Sequence, residues 1–76
     1  MKVPKGVSAR RFIRALERDG FELDRTRGSH HIYAHSDGRR VTVAYHRLSD
    51  DFPPGTLRGM IQDAGWGQDD LDRIGL

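Results

Sequence analysis

A chain of 76 residues with no cysteine has room for one small domain, and it excludes a disulfide framework, a zinc ribbon and a thiol nucleophile. Apolar residues at 36% and charged residues at 32% place it among globular rather than disordered sequences. No apolar stretch is long enough for a membrane span or a secretory leader, so the expectation is a soluble, cytoplasmic protein, with residues 1–76 as a single domain. The net charge of +2 hides an asymmetry. Residues 1–40 carry ten Lys/Arg against five Asp/Glu, and residues 41–76 carry three against six. A basic half on a small domain is the electrostatic footprint of a polyanion partner, most often nucleic acid.

In chain order, Met1–Val7 reads as a lead-in. Ser8 is an N-cap for a helix running to about Asp19, with Gly20 as its stop. Ala9, Phe12, Ile13 and Leu16 form its apolar stripe. Arg10, Arg14 and Arg18 recur every four residues on the other face, with Arg11 beside them. Like charges at that spacing oppose helix formation in isolation, which points to an anionic partner for the row. Phe21–Arg25 alternates apolar and polar as a first strand, Thr26–Ser29 turns the chain, and His30–His35 is a second strand. Asp37-Gly38 is a hairpin signal leading into a third strand over Arg40–His46. Leu48–Gly55 is a loop. Leu57, Met60, Ile61 and Ala64 then mark a second amphipathic helix that ends at Gly65. Asp69–Ile74 adds a short final turn, loosened because Gly67 and Gln68 offer no capping hydroxyl. The expected fold is therefore α+β in the order α-β-β-β-α, a three-stranded antiparallel sheet with two helices on one face.

Three histidines fall within six positions. His31 and His35 share a face of their strand but lie about 13 Å apart, and His30 points the other way, so no pair shares one ion. No metal site or cofactor is expected. Imidazole ordinarily titrates close to neutrality, which suits it to proton transfer. Arg25, Arg27, Arg39 and Arg40 are expected near the start of the second strand across the hairpins, where they would hold phosphates. Gly28 and Ser29 would supply close backbone approach and further donors. No nucleophile elbow, P-loop or dinucleotide fingerprint occurs. Trp66, Tyr33 and Tyr45 are expected to serve the core. From the residues alone, an enzyme, a non-catalytic RNA-binding module and a protein-interaction domain with a pairing edge strand all stay open.

Gly28-Ser29-His30-His31-Ile32-Tyr33, His35-Ser36-Asp37-Gly38-Arg39, Pro54-Gly55-Thr56-Leu57-Arg58 and Ala64-Gly65 together resemble the HicA toxin family, from about Ser8 to Leu71. The resemblance implies a reduced double-stranded-RNA-binding-domain fold. It also implies an endoribonuclease, the toxin of a type II toxin–antitoxin pair, that cleaves mRNA without metal. The family's catalytic histidine follows Gly-Ser directly, which is His30 here. A HicB-type antitoxin is the implied protein partner. The basic cluster that full double-stranded-RNA-binding domains carry at the start of the last helix is missing apart from Arg58, so single-stranded or flexible RNA is the expected substrate. Val43-Ala44-Tyr45-His46 departs from the family's usual Val-Pro at that point, and no role is assigned to His46.

Overall fold

Ser8 opens the first helix by accepting a hydrogen bond from the Arg11 amide at 3.2 Å, as an N-cap hydroxyl does. In the computed structural model, which describes residues 2–76, the elements are α1 (Ala9–Arg18), β1 (Glu22–Arg27), β2 (His30–Ala34), β3 (Arg40–Ala44), α2 (Pro54–Asp63) and α3 (Gln68–Ile74). The strands form one antiparallel sheet in the order β1-β2-β3. The α-β-β-β-α order holds, and the expected final turn is a third helix.

Both hairpins follow from glycine. Gly28 has φ +57° and Ser29 has no positive φ, the pattern of a two-residue type II′ turn closed by the Arg27–His30 pair. Gly38 at φ +99° turns the chain from β2 to β3. One face of the sheet, carrying Tyr33, Val41 and Val43, packs on the helices and is buried. It joins Phe12, Leu16, Leu57, Ile61, Trp66, Leu71 and Ile74 in one core. Tyr33 and Trp66 are core residues, as their sequence context suggested.

Three expectations need correction. The stripe of α1 buries Ala15 as well as Ala9, Phe12 and Leu16, while Ile13 is only half-buried. The first strand expected over Phe21–Arg25 runs over Glu22–Arg27, so Thr26 and Arg27 belong to it rather than to the turn, and all six of its residues are exposed, with Leu23 at 52%. β1 is an edge strand that extends beyond the helical layer, so an inward-pointing side chain there meets no partner. The third correction is at the C-terminus. Gly67 donates its N–H to the Asp70 carboxylate at 2.8 Å, and Leu71 and Ile74 are buried, so α3 is fixed without a capping hydroxyl. That amide hydrogen bond is the leading cause that holds the Asp70 carboxyl below its ordinary range.

Candidate functional site

The sheet register decides which charged residues meet. Arg27 pairs with His30, and His30 with Ala44, so these three form the last row of the sheet on its open face. Arg25 is opposite Ile32 in the next row on the same face, and Thr42 completes that row. His30 is exposed, and no hydrogen bond or ion pair engages its ring among the described residues. It is an imidazole presented to solvent at a strand end with a guanidinium across the ladder. Cross-strand neighbours of this kind have Cβ atoms about 5 Å apart. Gly28 is needed there for the turn itself, and the Ser29 carbonyl accepts from the Tyr45 amide at 3.0 Å.

His31 points to the helix side. Its ring stacks on Tyr45 with centroids 4.0 Å apart and 12° between planes, and its Nδ1 donates to the Val43 carbonyl at 3.2 Å. A carbonyl only accepts, so Nδ1 carries the proton. This histidine is held by packing.

Arg39 and Arg40 do not join His30. Ala34 pairs with Arg40, four residues along β2 from His30, which at ~3.3 Å per residue is about 13 Å. Arg40 instead donates to the Asp24 carboxylate at 2.7 Å, with Arg25 Nε at 3.6 Å from the same oxygen. The Arg40 hydrogen bond is the leading cause that lowers the Asp24 carboxyl from its ordinary range. Arg39 lies over the Phe21 ring and donates to Asp19 at 2.9 Å, to both Asp37 oxygens and to the Ala64 carbonyl. It fastens the β2–β3 hairpin to the end of α2.

Asp19 is the centre of that corner, and the sequence did not single it out. Its carboxylate accepts from Arg39, from Trp66 Nε1 at 2.9 Å and from Arg73 at 3.3 Å. Burial is the largest single influence and opposes its ionisation, but the hydrogen bonds from Trp66, Arg39 and Arg73 and the Arg39 charge together outweigh it and hold the carboxyl below its ordinary range. His35 completes the corner. The Asp37 amide donates to Nδ1, so Nε2 carries the proton and donates to the Asp19 carbonyl at 2.8 Å. One signal was present in the sequence: an aspartate at a helix C-terminus opposes the macrodipole and calls for cationic partners.

The arginine row on α1 is split by α3. Arg18 donates to the Ile74 carbonyl at 2.9 Å and Arg11 to the Gly75 carbonyl at 3.2 Å, two cations on the C-terminus of a helix. Gly75 has φ +85°, the left-handed region that favours glycine, and a Cβ there would lie 2.6 Å from Arg18 Nη1, the movable end of that side chain. Arg10 and Arg14 are exposed without such partners among the described residues, and line a groove with Ser8, Arg11, Arg18 and Gly75. The Arg10 amide donates to the Leu48 carbonyl at 3.0 Å, which ties the start of α1 to the loop leaving the His30 end of the sheet.

Among the described residues no three His, Asp or Glu are grouped to hold a metal, and no helix is long and apolar enough to cross a membrane. No curated protein matches the chain. The profile described as HicA toxin of bacterial toxin-antitoxin matches residues 9–66, from the first residue of α1 to the tryptophan that follows α2. That span covers most of the chain and includes the whole sheet and the Gly28-Ser29-His30 turn, and the chain belongs to the HicA toxin family.

Proposed function

We propose that this toxin is a metal-independent endoribonuclease acting on mRNA in the cytoplasm, with His30 as its catalytic residue, and that a HicB-type antitoxin inhibits it. The observation that carries the reading is the pairing of an exposed, unengaged His30 with Arg27 on the open face of the sheet, directly after the Gly28-Ser29 turn. His30 takes the proton from a ribose 2′-hydroxyl. The 2′-oxygen bonds to the adjacent phosphorus, the bond to the 5′-oxygen breaks as that oxygen takes a proton from water, and a 2′,3′-cyclic phosphate and a 5′-hydroxyl result. Arg27 and Arg25 stabilise charge on the phosphorane-like transition state. Gly28 and Ser29 border the phosphate path. Arg10 and Arg14 extend it around the corner set by Leu48, while Arg18, Arg39 and Arg40 serve it only through the scaffold they fasten. A path that bends around a sheet end suits a flexible single strand.

A positioned acid–base group is typically worth ~10²–10⁴ in rate. His30→Ala should lose about that factor in cleavage of a single-stranded RNA, in the presence of EDTA, while keeping its fold and its RNA affinity. His31→Ala should keep most of the activity. A His30→Ala protein that cleaves as fast as the parent would overturn the assignment. A parent that binds RNA and leaves it intact would favour a non-catalytic RNA-binding module.

A further inference from the structure

β1 is an open edge whose sequence is complementary to itself. Its six residues, Glu-Leu-Asp-Arg-Thr-Arg, are all exposed, and among the described residues the far side of the strand has no neighbouring strand. The irregularity between Leu23 and Arg25 makes Asp24 the extra residue of a bulge. The bulge sets the faces. Glu22, Arg25 and Arg27 lie opposite Ala34, Ile32 and His30 on the open face, and Asp24 reaches Arg40 on that same face. Leu23 and Thr26, opposite Tyr33 and His31, lie on the helix side.

The backbone follows the same division. Arg27 closes a two-residue turn, so its N–H and C=O point at β2, and alternation along the ladder turns those of Thr26 outward. Counting through the bulge, Leu23 also points outward. Neither amide finds another partner among the described residues.

We infer that β1 pairs antiparallel with β1 of a second copy of this chain, about a two-fold axis between Asp24 and Arg25. In that register Glu22 faces Arg27, Leu23 faces Thr26 and Asp24 faces Arg25, each pair occurring twice. Every acid meets an arginine on the same face of the joined sheet, and the outward groups of Leu23 and Thr26 bond reciprocally. Such an isologous contact is what two-fold pairing demands. The bulge makes it possible: in a regular strand, residues five apart lie on opposite faces, but across this bulge Glu22 and Arg27 share one. Leu23, the most exposed large apolar side chain among the described residues, is covered in the process. Asp24 keeps its bond to Arg40, since a carboxylate accepts several donors. Charges and a bulge commonly protect an edge strand from pairing; here their order admits one partner. The pairing does not depend on ribonuclease activity, although it uses Arg27, the residue opposite His30.

Six-residue edges make a small interface, so the dimer belongs to the weak class, forming at roughly 0.1–1 mM. The test is sedimentation at low salt with a charge exchange. Glu22→Arg places arginine opposite Arg27, and Arg27→Glu places glutamate opposite Glu22. Each variant alone should dimerise about tenfold more weakly than the parent or not at all. A one-to-one mixture should restore association, because every pair is again of opposite sign. In the parent, hydrogen exchange at the Leu23 and Thr26 amides should slow as concentration rises. A parent that stays monomeric at 1 mM would overturn the inference, including one whose edge takes a strand of another protein instead. So would a mixture of variants that fails to associate when the parent does.

Discussion

The two ends of the sheet use the same residue types to opposite effect. At one end His35, Arg39 and Asp19 are half-buried and bonded to one another, to Trp66 and to the Ala64 carbonyl. At the other, His30 and Arg27 stand exposed on the open face with no such bonds. A histidine–arginine pair acquires its role from its surroundings. Where Phe21, Trp66 and a carboxylate enclose it, its polar groups are consumed by structure. Where it is left open, they stay available to a ligand. The proposed RNA path belongs to the open end, and the stability of the molecule leans on the closed one.

That contrast breaks most sharply at Asp19. Asp19→Ala leaves the Trp66 indole N–H without its acceptor and removes one of the bonds of the Arg39 guanidinium, which keeps Asp37 and Ala64, a loss of about 2–3 kcal/mol. In a domain of this size that lowers Tm by roughly 10–20 °C in a thermal melt. His30→Ala should leave Tm unchanged within a degree or two. Equal melting points for the two variants would erase the distinction between the ends.

Arginine substitutions sharpen it next. Arg39→Gln should cost about 1–2 kcal/mol in denaturant unfolding, since it removes bonds to Asp19 and Ala64 together. It should leave the salt dependence of RNA affinity alone. Replacing Arg10 and Arg14 with Gln should do the reverse, with little change in stability and a salt slope flatter by ~0.7 log units per lost phosphate contact.

Acid supplies a gentler probe. The Asp19 carboxyl sits below its ordinary value of 3.8, so its contribution is fully present above that value and is lost as pH falls through the lower folded-state value. Stability should therefore decline below about pH 4, and Asp19→Asn should flatten that limb of a Tm-against-pH plot. The smallest effect belongs to the exposed Arg40–Asp24 pair. Arg40→Gln should leave the melting curve unchanged, because exposed ion pairs gain little over hydration.

The order of elements, both hairpins, the N-cap at Ser8 and the family could be read from the chain alone, because these rest on local signals. Helical spacing, a glycine at positive φ and a short run after Gly-Ser are written within a few residues of where they act. The exposed place of His30 beside the turn was legible for the same reason. Which arginines stay open depends on contacts between distant parts of the chain. Trp66 reaches Asp19 across 47 positions, and Arg18 reaches Ile74 across 56. Nothing near Arg18 or Arg39 in the chain announces those acceptors. The same holds for β1, whose alternating pattern marks a strand but not that all six of its residues stay exposed at the edge of the sheet. A local pattern fixes which way a side chain points, but burial depends on what the rest of the fold brings to meet it.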